Sequence, residues 1–144
     1  MSRAIELAVK GMEAGEVPVG AVIVNKDGEI LFEAHNRIEE LNDTTAHAEI
    51  LVIRAASQIL GSPRLIDCDL YVTLEPCTMC AAAISMARIR RLYFGAIDPK
   101  GGGVEHGACF FDRATCHHRP EVYGGICEQE SSDLLKSFFA SKRD

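Results

Sequence analysis

Two cysteines at the start of a predicted helix place the strongest constraint on how this chain can fold. Residues 70–74 have the short apolar pattern of a buried strand, and residues 76–86 have the pattern of a helix with Pro76 at its first position. Cys77 and Cys80 then lie three residues apart in the first turn, on one helical face. The fold must therefore present both thiols together, where a strand ends and the next helix begins.

The remaining patterns alternate between helix and strand. They predict a helix over 2–14, a hairpin over 19–32 whose second strand delivers His35 and Asn36 at its end, strands at 91–95 and 121–123, and a terminal helix from about Gln129. We therefore predict one α/β domain over residues 1–144, a three-layer α/β/α fold. Its central mixed sheet has about five strands, with an antiparallel pair in an otherwise parallel sheet and helices on both faces.

A further helix is predicted after the polar stretch 37–43, with Thr44 or Thr45 as its cap. His47 and Glu49 fall in its first turn. Residues two apart in a regular helix point about 200° away from each other. We therefore expect these two side chains to converge only at the open start of the helix.

An imidazole and two thiols are suitable ligands for a soft metal ion that prefers tetrahedral coordination. Zinc is the ion that this ligand set favours. A lone histidine at a helix start is commonly structural, and a lone cysteine pair can be redox-active. Together, His47, Cys77 and Cys80 predict a site for one zinc ion per subunit. The positive end of the second helix favours the thiolate, which is the form that binds metal.

Three protein ligands leave one tetrahedral position open, which distinguishes a catalytic zinc site from a closed structural one. Zinc lowers the pKa of a water molecule at that position to about 7. Glu49 is then the predicted catalytic residue, which moves protons between water and substrate.

The alternative is a closed structural zinc site, in which Glu49 is an ordinary surface carboxylate. The fourth ligand would be one of Cys109, Cys116, His117, His118 and Cys127. Otherwise the isolated Cys68, Cys109 and Cys127 are expected to be small buried apolar side chains. The dense segment 116–118 leaves a second metal site open.

Composition limits the function classes. A chain of 144 residues with 47% hydrophobic residues can bury one core. No apolar run approaches the roughly 20 residues that span a bilayer, so we expect a cytoplasmic protein with reduced cysteines and no membrane partner. The net charge of −6 argues against broad electrostatic binding to nucleic acid, and any RNA contact must be local.

The H-x-E pattern at 47–49 and the P-C-x-x-C pattern at 76–80 resemble the zinc signature of the cytidine deaminase superfamily. Further segments are similar to the bacterial tRNA adenosine deaminases: 17–21 (VPVGA), 70–77 (LYVTLEPC), 94–102 (FGAIDPKGG) and 134–139 (LLKSFF). The resemblance covers nearly the whole chain. It implies a cytidine deaminase-like fold and a homodimer that converts adenosine to inosine at the wobble position of a tRNA anticodon.

The resemblance also implies roles around the reacting base. Asn36 would hydrogen-bond the flipped base, and Val17 and the helix start at Ala48 would line its pocket. The activated water would attack C6 of adenine. Glu49 would take the water proton, then protonate the ring and the leaving amine, and ammonia would depart.

Contacts with the anticodon loop are implied in the same way. Asp98 and Lys100 would face flanking nucleotides, and Phe139, Lys142 and Arg143 would meet the loop from the terminal helix. Residues 43–45 and 104–116 depart from the family pattern, so the resemblance implies no contacts there. Two rival functions remain: a deaminase of a free base or nucleoside such as guanine or cytosine, and a binding module with structural zinc.

Overall fold

The computed structural model describes residues 1–143, and of Arg143 it describes the backbone only. The helices are α1 (Ser2–Glu13), α2 (Ile38–Leu41), α3 (Ala48–Leu60), α4 (Thr78–Met86) and α5 (Glu128–Arg143). The strands are β1 (Gly20–Val24), β2 (Ile30–His35), β3 (Asp69–Leu74), β4 (Arg91–Ala96) and β5 (Glu121–Tyr123). A turn of 3-10 helix covers Phe110–Asp112. The extent of the domain over residues 1–144 stays a prediction.

The five strands form one mixed sheet in the order β2-β1-β3-β4-β5. The predicted mixed sheet is confirmed, but its pairing differs from the predicted single antiparallel pair. β1 lies inside the sheet and runs antiparallel to both β2 and β3, whereas β3, β4 and β5 are mutually parallel neighbours. Periodicity predicts that a segment is a strand but does not specify its second neighbour, so the reversed strand could not be placed from its pattern.

Helices cover both faces of the sheet, as predicted. α1 and α5 pack against each other and the sheet on one side, and α3 and α4 pack together on the other. All residues of β1 are buried because side chains of both faces meet a helix layer. The larger core joins Val52 and Ile84 of the α3 and α4 layer to Ile23, Val72 and Phe94 of the sheet.

Local hydrogen bonds explain why two helices begin later than predicted. Asp43 accepts hydrogen bonds from both the backbone N–H and the hydroxyl of Thr45, so this threonine belongs to a turn. His47 is the N-cap of α3 instead. The carbonyl of Pro76 accepts a hydrogen bond from the N–H of Gly103. Because this carbonyl is bonded to Gly103 and not within the helix, Pro76 lies before the helix, and α4 starts at Thr78.

The short helix α2 lies in the stretch 37–43, where the pattern predicted no regular element. Both carboxylate oxygens of Glu16, which is buried, accept hydrogen bonds from the backbone N–H groups of Glu39 and Glu40. The partner that stabilises this turn lies more than twenty residues away along the chain. A local pattern therefore could not predict it.

The longest helix, α5, has 16 residues, fewer than the roughly 20 needed to cross a bilayer. Across residues 1–143, no helix combines the length and the apolar character of a membrane span.

Gly20 marks the closest approach between α1 and the sheet. A Cβ at this position would overlap the carbonyl oxygen of Ala4 and lie 2.8 Å from the backbone nitrogen of Ala8. Both neighbours are helix backbone, which cannot move aside as a flexible side chain can. The packing of α1 on β1 therefore requires glycine here.

We predict that Gly20→Ala lowers the free energy of unfolding by about 3 kcal/mol, because the added methyl group pushes α1 away from the sheet. Denaturant unfolding measures the change. Gly28→Ala is the matched control: it has open space but a φ of +81°, and the backbone strain costs only about 1 kcal/mol. Equal losses in the two variants would show that crowding by α1 is not the cause.

Candidate metal centre and active site

One edge of the sheet gathers the candidate residues. β2, β3 and β4 end at this edge, and the reversed strand β1 begins there. The helices α3 and α4 also begin here, with His47 and Cys77 at their N-cap positions. Open α/β sheets commonly bind ligands outside the carboxyl ends of their strands.

The structure brings the predicted ligand atoms together. The Nδ1 atom of His47 lies 3.7 Å from the Sγ atom of Cys77 and 3.5 Å from the Sγ atom of Cys80. All three ligand atoms lie within 4.8 Å of one another. One nitrogen and two sulfurs at this separation fit a single tetrahedral zinc ion.

A fourth protein ligand does not join this group within residues 1–143. Cys109, Cys116, His117, His118 and Cys127, the candidates for a closed site, all lie outside it. The donor set is therefore that of an open site, which leaves one coordination position for water or substrate.

The two cysteine sulfurs share a proton, and this arrangement favours binding of a metal cation. A hydrogen bond from the Cys80 thiol lowers the pKa of Cys77 to about 4. The same bond, together with burial, raises the pKa of Cys80. Zinc ligation requires thiolates, so a bound divalent cation favours loss of the proton that the pair shares.

Glu49 is a buried acid, and one of its two carboxylate oxygens has no hydrogen-bond partner. Its side chain is only 4% exposed, and its Oε1 atom has no hydrogen-bond partner. Burial raises the pKa of this carboxyl. An unpartnered buried carboxylate oxygen is costly, and its position beside the three ligands fits a proton acceptor for a water molecule at the metal.

His47 and Glu49 line one pocket of about 260 Å³ despite being two residues apart. The N-cap conformation explains this, since His47 has an extended backbone with φ −70° and ψ 148°. It lies outside the helix, so the helical rotation of about 100° per residue does not separate it from Glu49.

Asn36 and Val17 line the same pocket, as expected from the sequence. The Oδ1 atom of Asn36, which is buried, accepts a hydrogen bond of 2.8 Å from the backbone N–H of Ala48. This bond fixes the amide and leaves its Nδ2 group as the donor for a ligand.

The expected role of Ala48 needs correction. Ala48 is fully buried and does not line the pocket. Its backbone N–H is already used by Asn36. Ala48 therefore orients Asn36 rather than contacting a ligand.

Glu75 was assigned no role from the sequence, although it also lines the pocket. Its carboxylate accepts hydrogen bonds from the backbone of Asp98, Val104, Glu105 and His106, and from the His106 ring. Burial alone would raise the pKa of Glu75, but these hydrogen bonds outweigh it and lower the pKa. Spacing along the chain could not reveal partners about thirty residues away.

A larger cleft of about 1000 Å³ adjoins the pocket. The two share Val17, Leu74, Asp98 and Gly101, so they lie next to each other. Asp98 lines both the pocket and the cleft, whereas Lys100 and Phe139 line only the cleft.

α5 forms one wall of this cleft through a stripe at helical spacing: Ser132, Leu135, Lys136 and Phe139. Sequence reasoning selected Phe139 but missed Lys136. The i, i+3, i+4, i+7 spacing with Phe139 could have identified it.

Lys142, which was also expected to contact RNA from α5, is not part of this wall. The Nζ atom of Lys142 lies 5.5 Å from the ring centroid of Phe138, over a side chain that is itself buried. Neither the pocket nor the cleft includes Lys142. The prediction for the Arg143 side chain lies outside the described residues.

The cysteines and histidines considered as further metal ligands make contacts with the protein backbone or lie apart from one another. The Nε2 atom of His118 hydrogen-bonds with the carbonyl of Ile89, and the Cys116 thiol donates to the carbonyl of His118. These contacts give no support to a second metal site at 116–118. Cys68 is buried as predicted, but Cys109 is only half-buried and Cys127 is exposed.

Comparison with known proteins supports zinc at this site. The family of the cytidine and deoxycytidylate deaminase zinc-binding region matches residues 1–96. This span contains His47, Glu49, Cys77 and Cys80. Since the family match and the donor set agree, zinc is the metal of this site, with one ion per chain.

Individual relatives extend the match over nearly the whole chain. The tRNA-specific adenosine deaminase of Agrobacterium fabrum is 59% identical over 99% of this chain and 93% of its own length. A solved structure from work on A-to-I editing by tRNA:A34 deaminases is 60% identical, with a TM-score of 0.92 over 94% of this chain and 97% of that chain. A guanine deaminase from Bacillus subtilis is 34% identical, with a TM-score of 0.66 over 99% of this chain and 91% of that chain.

These matches confirm the resemblance and the cytidine deaminase-like fold expected from the sequence. The chain belongs to the tRNA-specific adenosine deaminases, within the zinc-binding cytidine and deoxycytidylate deaminase family.

Proposed function

We propose that this protein deaminates adenosine to inosine at the wobble position of a tRNA anticodon. The observation that carries the proposal is the position of the larger cleft directly beside the small metal pocket, with four lining residues in common. The pocket suits one flipped base, and the cleft gives room for its neighbours in an RNA loop. The relatives named for tRNA adenosine deamination support the same substrate.

Within the pocket, Asn36 positions the base and Val17 packs against it. The fixed amide of Asn36 offers its Nδ2 group to an acceptor on the purine edge, and the Val17 side chain covers an apolar face. Holding C6 beside the metal site reduces the entropy lost on reaching the transition state.

Zinc, held by His47, Cys77 and Cys80, supplies an activated water molecule when bound. Hydrolysis forms a C6–O bond and breaks the C6–N bond, with release of ammonia. Glu49 accepts the water proton at Oε1, which has no other hydrogen-bond partner. The same carboxyl passes this proton to the ring nitrogen, then accepts the second proton from the new C6 hydroxyl and passes it to the leaving amine, so it returns to its starting state.

The cleft favours RNA over a free base. A single free base, such as the guanine in the name of the Bacillus subtilis relative, would occupy the pocket and leave the cleft empty. Here the pocket adjoins a cleft that carries Lys100, Lys136 and the exposed ring of Phe139. Lysines suit phosphates and an aromatic ring suits an unstacked base. A few local contacts of this kind are compatible with a net charge of −6.

We further propose that the protein acts as a homodimer through α4. Seven of the nine residues of helix α4 are apolar, and they include those on its outer face, which is unusual for a helix at a protein surface. Its outer face carries Met79, Ala82, Ala83 and Met86 at helical spacing, with Met86 76% exposed. A second copy of the chain would cover this face.

We also propose a cytoplasmic location, from the state of the cysteines and from the proposed substrate. All six cysteines are free thiols, as expected in a reducing compartment. The proposed substrate, tRNA, is available there.

Inosine formation in an anticodon stem-loop with adenosine at the wobble position tests the function, with free adenosine, guanine and cytosine assayed in parallel.

We predict that Glu49→Gln keeps its zinc but loses at least about a hundredfold in kcat, because the amide cannot accept the water proton. Cys80→Ser should lose zinc as well as activity. Glu29→Gln, in the hairpin turn, is the matched control and should behave as the unaltered protein. Ammonia release from a free base alone would contradict the RNA substrate.

We predict that Lys136→Ala weakens binding of the stem-loop because one phosphate contact is lost. The slope of log affinity against log salt concentration should fall by about 0.7, the value expected for one contact with a single strand. Anisotropy titrations at several salt concentrations measure the slope. Lys26→Ala removes an exposed lysine from the hairpin turn and serves as the control. Equal slopes in both variants would exclude Lys136 from the RNA path.

We predict that Met86→Glu converts dimers into monomers, because a buried charge without a partner is costly at an interface. Sedimentation velocity measures the change. Ile30→Glu alters another exposed apolar side chain, on the edge strand β2, and should leave the dimer intact. A dimer that survives Met86→Glu would place the interface elsewhere.

A further inference from the structure

The carboxylate of Glu75, just after β3, accepts hydrogen bonds from the loop that follows β4. Its Oε2 atom accepts hydrogen bonds of 3.2, 2.9 and 3.1 Å from the backbone N–H groups of Val104, Glu105 and His106. Its Oε1 atom accepts a hydrogen bond of 3.0 Å from the backbone N–H of Asp98, and lies 2.8 Å from Nδ1 of His106. The carboxylate, whose side chain is fully buried, therefore ties both ends of the loop 98–106 to the end of β3.

The loop is wrapped tightly around this carboxylate. Gly101 and Gly102 donate backbone hydrogen bonds to Asp98, at its side chain and its carbonyl respectively. A Cβ at Gly102 would overlap the Oε2 atom of Glu75. A shift of the carboxylate therefore shifts Asp98 and its neighbours with it.

The same loop forms one wall of the base pocket. Asp98 and Gly101 line both the pocket and the cleft, and Val17 lines both as well. The position of the loop thus affects the shape of both the pocket and the cleft.

We propose that Glu75 and His106 are positioning residues that fix the loop 98–106 and thereby set the fit of the base pocket to its substrate. This inference rests on the proposed function. His106 is the one side chain among the donors to Glu75 in the described residues; the other donors are backbone N–H groups. Hydrogen bonds to an ionised carboxylate are roughly twice as strong as neutral ones, so His106 contributes strongly to holding the loop.

A merely structural role for this pair makes a different prediction. Loss of a structural contact near the metal ligands would lower stability, zinc content or kcat without a selective change in KM. Loss of a positioning contact would weaken the fit of the substrate while the metal site stays intact.

The test replaces His106 and leaves Glu75, which is close to Cys77, unchanged. His106 is 31% exposed on its side chain, so removal of the ring should not prevent folding. His106→Ala removes the donor to Glu75. His106→Asn keeps a donor nitrogen at the same bond distance from Cα as Nδ1 and is the conservative variant.

Kinetics with the anticodon stem-loop, zinc analysis and hydrogen exchange are measured on both variants. We expect His106→Ala to raise KM at least about threefold with kcat within about twofold of the unaltered protein, and with zinc retained. Hydrogen exchange should become faster at residues 98–106. His106→Asn should restore both KM and protection.

Unchanged KM in His106→Ala would overturn the inference, as would equal impairment in His106→Ala and His106→Asn. Loss of zinc or of kcat alone would also overturn it in favour of a structural role. The unaltered protein is assayed first. If it makes no inosine in the stem-loop, the proposed function fails and this inference fails with it, an outcome that the variant kinetics cannot imitate.

Discussion

The site depends on two helices that begin at the same edge of the sheet. α3 and α4 pack side by side, so their first residues meet where β3 ends. His47 and Cys77 occupy N-cap positions, outside the regular helical repeat. This freedom lets a histidine converge with two thiols from another helix, and it lets Glu49 face the same pocket. The packing of the two helices, which buries apolar surface, thus fixes the geometry of the metal ligands.

Two buried glutamates beside the metal ligands show how hydrogen bonding separates chemical from structural roles. Glu75 has its charge satisfied by backbone and histidine donors, which makes it a fixed anchor. Glu49 has an oxygen without a partner, and burial raises the pKa of its carboxyl. A satisfied carboxylate gains little from binding a proton, whereas an unsatisfied one can hold a proton for a reacting water molecule. Similar burial therefore accompanies opposite shifts in pKa, in line with the different roles proposed for the two glutamates.

The sequence predicted the parts of this structure that depend on local patterns. Hydrophobic periodicity located the helices and strands, and the chemistry of His47, Cys77 and Cys80 predicted the metal. The reversed strand β1 and the short helix α2 depend on partners that are distant along the chain, such as Glu16 for α2. The same reason explains why Glu75 was missed. Ala48 is fully buried and its N–H donates to Asn36, a partner twelve residues away along the chain, so its place behind the pocket wall was not evident from the local pattern.

The chain divides its tasks by position. His47, Glu49, Cys77, Cys80 and Asn36 all precede residue 97, within the span that the deaminase family shares. Most of the cleft comes from residues 97–101 and from α5, beyond that span. On the proposed function, the last third of such a chain can therefore change with the choice between a polynucleotide and a small base while the metal ligands stay the same.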